Sequence, residues 1–219
     1  MKKEVFRNLI ITTLVLIIIS LSPMVIFADI YSFEGEAEQL YDCGLYKGLS
    51  SISYEPGLEM LADRETGIIM LLRFLNEEKN AMNLSDSEIS QLLSDFTDSS
   101  QISVWAKNQV AYAVKLGLVK GYTDYTIKPK EMLSSKMYCT MILNALGHDF
   151  DFNQSVNLFC ELSGVVQGLR EMLSKDEAIN RDLMVGISYA AFSTPYKQDG
   201  RTLRQKLLDE GVIKLKIKY

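Results

Sequence analysis

Histidine occurs once in this chain of 219 residues, at His148, which excludes any metal site built on two or three imidazoles. The only cysteines, Cys43, Cys139 and Cys160, exclude a disulfide scaffold and a CxxC metal knuckle. Their number is odd, so at least one stays free unless it pairs between chains. Each lies among apolar neighbours, the setting of a small buried hydrophobe. Basic residues are in deficit, 23 against 28 acidic ones for a net charge of −5, which argues against a nucleic-acid partner. Catalytic groupings are missing too. Ser188, in Gly186-Ile187-Ser188-Tyr189-Ala190, lacks the second glycine of a nucleophile elbow. His148-Asp149-Phe150-Asp151 lacks the spacing of a calcium loop, and no two carboxylates form an evident acid–base pair. The expectation is a protein that is not an enzyme and needs no cofactor or metal.

What is present begins with an address. Lys2, Lys3 and Arg7 precede an apolar run over 9–27, interrupted by Thr12, Thr13, Ser20, Ser22 and Pro23. Ala28 then supplies a small-residue exit before polar sequence starts at Asp29. A basic start, an apolar middle and a small exit describe an export signal over 1–28. The same run is long enough to remain as an uncleaved membrane anchor. Either way the rest of the chain is expected outside the cytoplasm.

Beyond the leader the chain repeats itself. Gly44 and Gly48, Gly117 and Gly121, and Gly164 and Gly168 are three pairs with one spacing, each preceded by a stretch of helical periodicity. Glycine after such a stretch ends a helix, because the left-handed conformation costs it nothing. After a loop, each unit restarts at Asp63, Ser134 or Asn180, all good N-caps, ahead of the apolar runs 68–75, 137–146 and 183–192. Helices apolar on nearly every side must be buried, and three of them bury one another most simply in a central bundle. Between the first two units, Ser85-Asp86-Ser87-Glu88 predicts a capping box and a short helix. A final short helix is expected from Leu203, followed by an alternating strand or tail over 212–219.

The second unit carries a family resemblance. Phe96-Thr97-Asp98, Trp105-Ala106, Gly117-Leu118-Val119-Lys120-Gly121-Tyr122 and Ile127-Lys128-Pro129 together resemble an S-layer homology repeat. Asp63-Arg64-Glu65 and Asn180-Arg181-Asp182 resemble that family's Thr-Arg-x-Glu helix start. The resemblance implies an all-α fold in which three helix-loop-helix repeats form a pseudo-threefold spindle around a three-helix bundle. It divides the chain into a signal peptide (1–28), a first repeat with linker (29–94), a second repeat (95–148), a third repeat (149–195) and a C-terminal tail (196–219). It further implies a non-covalent wall anchor whose inter-repeat grooves hold secondary cell-wall polysaccharide, often bearing a pyruvyl ketal.

Carried over residue by residue, ligand contacts are expected at Arg64 and Arg181 with their N-caps Asp63 and Asn180. They are also expected at Ser134, Ser135 and Lys136, and at Gly121, Tyr122 and Asp124. A ligand carboxylate would gain from an arginine fork and from free N–H groups at the helix start. The pattern is incomplete: Ser134-Ser135 replaces Thr-Arg, Asp124-Tyr125 replaces Asp-Gly, and the closing glutamate is absent at Thr66, Met137 and Leu183. At most two grooves look intact. Trp105 is read as a packing residue rather than a sugar platform. The alternative function is an extracellular protein-interaction module with degenerate repeats, whose partners would be other surface proteins. A membrane partner enters only if the leader stays attached.

Overall fold

Three short segments, Leu61-Ala62-Asp63, Met132-Leu133-Ser134 and Ala178-Ile179-Asn180, pair with one another in a closed ring. In the computed structural model, which describes residues 32–50 and 52–214, isolated antiparallel bridges join Leu61 to Asn180, Asp63 to Met132 and Ser134 to Ala178. The hydrogen bonds run one way round: Leu133 N–H donates to Ala62 C=O (2.9 Å), Ala62 N–H to Ile179 C=O (3.0 Å) and Ile179 N–H to Leu133 C=O (2.8 Å). Ala62, Leu133 and Ile179 are all buried. The three segments lie just before the three apolar helices. Each therefore ends its backbone pairing where a helix begins.

The described residues form ten α-helices and short 3₁₀ turns, and no strand longer than a bridge. They are α1 (Glu34–Asp42), α2 (Arg64–Phe74), α3 (Glu78–Ala81), α4 (Asp86–Leu93), α5 (Lys107–Lys115), α6 (Ser135–Ala145), α7 (Ser155–Ser163), α8 (Gln167–Leu173), α9 (Arg181–Ala191) and α10 (Leu203–Asp209). The all-α expectation holds. The apolar helices α2, α6 and α9 carry the heart of the core, with Ile68, Leu72, Leu143, Val185 and Ile187 fully buried. All three line one small apolar space through Leu71, Phe74, Tyr138, Ile142, Ser188 and Ala191. The rings of Phe74 and Phe192, both buried, pack with centroids 5.2 Å apart.

Asp63, Ser134 and Asn180 cap the three helices, accepting from Thr66 N–H (3.0 Å), Met137 N–H (3.3 Å) and Leu183 N–H (2.9 Å). Ser85 and Glu88 form the expected capping box at α4. Gly44, Gly117 and Gly164 stop the first helices with φ between 67° and 74°. Asp98 of the Phe-Thr-Asp motif is buried and fixes the second loop by accepting from Ile127 N–H (2.8 Å) and Lys128 N–H (2.7 Å).

Two sequence readings are corrected. Gly168 does not open a loop but lies inside α8, because Leu169 and Leu173 bury one helical face four residues apart. The short helix expected from Leu203 forms as α10, with Thr202 and Gln205 building a second capping box, but the segment expected over 212–219 as a strand or tail does not start out free: Ile213 joins the core with Leu203 and Leu207. The leader reading over 1–28 and the end of the alternating segment fall outside the described residues.

Candidate functional site

Each apolar helix starts on a loop from another part of the chain. Arg64 N–H donates to Glu131 C=O (2.9 Å) and Glu65 N–H to Pro129 C=O (3.0 Å), so α2 sits on the loop that precedes α6. Arg181 N–H donates to Met60 C=O (2.8 Å) and Asp182 N–H to Leu58 C=O (3.0 Å), so α9 sits on the loop that precedes α2. In α6, Lys136 N–H donates to the Asp176 carboxylate (3.3 Å). These bonds correct the expectation of free N–H groups awaiting a ligand. At α2 and α9 the loops and the caps use the first three N–H groups of the helix.

The ten expected contact residues are distributed over three junctions. At the α9 junction, Arg181 lines a cleft of about 310 Å³ together with Tyr46, Leu49, Thr66, Arg73 and Trp105. The Nε of Arg181 is buried and has no hydrogen-bond partner among the described residues. Burial pushes the Tyr46 phenol up, opposed by the nearby Arg181 charge, and its hydroxyl donates to Pro56 C=O. Arg73 Nε is paired with Glu78 (3.0 Å), which also meets Lys47 (2.7 Å). Burial alone would raise the Glu78 carboxyl, and these two cations bring it below its usual range. Trp105 is 60% exposed and faces this cleft, which corrects its reading as a packing residue. Asn180 contributes here as the helix cap.

At the α2 junction, Arg64 stands 5.0 Å from the ring centroid of Tyr122, and Lys128 Nζ lies 4.1 Å from the same ring. The Nε of Arg64, too, is buried and has no hydrogen-bond partner among the described residues. Tyr122 donates its hydroxyl to Glu131 (2.5 Å). Burial, followed by that carboxylate, raises the phenol to about 12. Gly121 is required here: φ is 70°, and a Cβ would lie 2.5 Å from Phe96 and 2.9 Å from the Thr126 carbonyl. Asp124 is a loop-builder, accepting from Thr126 N–H (3.2 Å) and from its hydroxyl. Glu65 is fully buried, accepts from Ser103 N–H (3.1 Å) and is clasped by Lys130. Lys130 also stands 3.9 Å from Asp63.

At the α6 junction, the position held by arginine in the other two helices is Ser135, which is 1% exposed. Lys136 Nζ pairs with Asp176 (3.0 Å) and stands 5.4 Å from the Phe152 ring. Burial raises the Asp176 carboxyl, but Ser134 and Lys136 together hold it below its ordinary range. Asp176 has φ 51°, an uncommon conformation for a residue with a side chain. The structure thus groups Arg64 with Gly121 and Tyr122, sets Arg181 and its cap Asn180 beside Trp105 and two residues not expected there, Tyr46 and Arg73, and keeps Ser134, Ser135 and Lys136 apart from both. Tyr46, Arg73, Lys128 and Asp176 carry no motif of their own.

Residues 95–134 match the S-layer homology domain. Domains of that family are non-enzymatic modules that associate with the cell wall and the cell surface. The match ends at Ser134, the N-cap of α6, and so covers the second unit from Asp95 through its loop. No curated protein matches the chain. Among the described residues, no helix is long and apolar enough to cross a membrane, and no group of His, Cys, Asp and Glu could hold a metal ion.

Proposed function

We propose that this chain is a cell-wall anchoring module of three S-layer homology repeats, exported behind the leader over 1–28. Its ligand is an acidic secondary cell-wall polysaccharide, with a pyruvyl carboxylate as the group recognised. The arginine-bearing junctions, at Arg64 and Arg181, supply the contact. The observation that carries this reading is the Arg181 side chain, whose buried Nε has no hydrogen-bond partner among the described residues and which lines an open cleft beside an exposed tryptophan. A guanidinium is permanently charged and matches a carboxylate with two parallel donors, while an indole face suits the apolar side of a sugar ring. The chemistry requires neither a nucleophile nor a metal.

The closed ring of three equivalent segments supports the repeat reading and a pseudo-threefold spindle. In this reading the repeats occupy 29–94, 95–148 and 149–195, and residues 196–219 close the module. The test is co-sedimentation of the purified protein with native walls, with walls stripped of polysaccharide, and with walls treated with mild acid to remove pyruvate. Retention on native walls alone supports the anchor. Equal retention on all three rejects it.

A further inference from the structure

The ring of three segments that seats the apolar helices has an outer face. Successive side chains along an extended segment point to opposite sides. Ala62, Leu133 and Ile179 turn into the core, so the residues just before them, Leu61, Met132 and Ala178, turn outward. Leu61 is 57% exposed, Met132 is 44% exposed, and Ala178 is exposed as well. Each is bridged to the N-cap residue of another segment, which holds the three together at one end of the bundle. Carboxylates flank them in the sequence: Glu59, Glu131 and Glu177 enter no ion pair among the described residues. The lysines of the ring junctions are already committed, Lys130 to Glu65 and, with the charges exchanged, Lys136 to Asp176. Lys175, three residues before Ala178, offsets only one of the glutamates. An apolar centre with an acidic surround repels a copy of itself and repels an anionic wall polymer. It fits a basic segment that also carries apolar side chains.

This chain carries such a segment, and it leaves from the opposite end. Lys214, Lys216 and Lys218 alternate with Leu215, Ile217 and Tyr219, with no acid among them. The segment starts where Ile213 enters the core and Val212 lines a cleft with Arg73 and Asn76, beside the Asn76–Glu210 hydrogen bond (3.1 Å). Arg73 and Asn76 mark the C-terminal end of α2, whereas Leu61 precedes its N-terminal end. The eleven residues of α2 cover about 16 Å along the axis. The five residues after Lys214 extend at most about 18 Å. Passing α2 would use nearly all of that and leave nothing to lie across the ring, so the segment cannot cover the ring of its own molecule. We propose that residues 214–219 of one copy dock on the outer ring face of the next. The lysines meet the glutamates, and Leu215, Ile217 and Tyr219 cover Leu61 and Met132. Such a contact is heterologous, tail to ring, and joins copies into open chains. This goes beyond wall binding and stands independently of it.

Sedimentation velocity of the purified protein from about 5 to 500 μM, the range suited to a small interface, tests the proposal. The average mass should rise with concentration past that of a dimer, and should fall when salt is raised from about 0.05 to 0.5 M. A chain ending at Lys214 should stay monomeric. So should Leu61→Asp, and so should the double variant Glu59→Lys, Glu177→Lys; all three positions are exposed, and circular dichroism should show the native helix content. The shortened chain offers only a ring and the ring variants only a tail. An equimolar mixture of the shortened chain with either ring variant should therefore form one-to-one pairs in neither parent and grow no further with the shortened chain in excess, whereas two ring variants mixed together should not pair. An unaltered protein that is monomeric throughout overturns the proposal. So does association that persists in the shortened chain, whether ring to ring or through residues 1–28, and so does a mixture of shortened chain and ring variant that stays monomeric.

Discussion

The hydroxyls of Tyr138 and Ser188 meet at 2.7 Å between α6 and α9, in the buried centre of the bundle. Ser188 also donates to Met184 C=O at 2.8 Å, so its proton is committed and Tyr138 must be the donor of the pair. The serine is thus a structural acceptor inside an apolar helix, as its surroundings in the sequence imply. The two deletions are therefore unequal. Tyr138→Phe removes a donor and leaves Ser188 bonded, at a cost near 1 kcal/mol. Ser188→Ala strands a fully buried phenol without an acceptor, and the penalty for an unsatisfied buried group is about 1–3 kcal/mol. Denaturant unfolding of both variants measures the difference. Tyr138→Phe proving the more destabilising would show that the donor assignment is wrong.

The central helices make a second, harsher prediction. Leu72, Leu143 and Ile187 are each fully buried, one on each apolar helix. Aspartate at any of them places a carboxylate where no cation waits, a cost of several kcal/mol that exceeds the margin of many small domains. Each variant should lose its helical circular dichroism at neutral pH. A variant that kept a native thermal transition would mean that its helix does not lie in a shared core.

The apolar runs and the N-caps were legible in the sequence because burial and capping leave local marks: period, polarity and one of a few side chains at the helix start. The glycine pairs were legible for two units and misleading in the third, where Leu169 and Leu173 pull Gly168 into a helix. The arginines could be named, but their surroundings could not. Tyr46, Arg73 and Trp105 come from separate segments, and only the packing of α2, α9 and the first loop brings them to one cleft. The exchanged pairs Lys130–Glu65 and Asp176–Lys136 do have a sequence signature, visible when the units are aligned on the buried ring residue instead of on the glycines. Nothing local in the sequence marks that residue as the point of alignment, since the ring forms only when all three segments meet.

Trp105 gives a prediction that separates stability from binding. A side chain 60% exposed contributes little to the core, so Trp105→Ala should leave the melting temperature within a few degrees of the unaltered protein. Loss of an aromatic face worth about 0.5–1.5 kcal/mol should lower affinity for wall polysaccharide by roughly 2- to 13-fold. The two readouts are a melting curve and a binding isotherm on isolated polysaccharide. A large fall in melting temperature would return this residue to a packing role.

Tyr122 sets a pH window. Its folded-state phenol is raised to about 12 by burial and by the Glu131 carboxylate, whereas an unfolded tyrosine ionises near 10. A group whose folded value is the higher one contributes stability that is complete below the unfolded value and is lost as the pH climbs toward the folded one. The contribution should therefore persist up to about pH 10 and fade between about 10 and 12. Because the ring is partly open to solvent, screening reduces the effect to about 1 kcal/mol. Other buried phenols, Tyr46 and Tyr196 among them, also titrate high, so the total alkaline slope does not isolate this residue. The difference between the unaltered protein and Tyr122→Phe does. That difference in unfolding free energy should be constant from neutral pH to about 9.5 and then shrink toward pH 12. Parallel curves across the whole range would show that the Tyr122–Glu131 contact does not hold the phenol protonated, and would remove the loop anchoring it gives to the Arg64 junction.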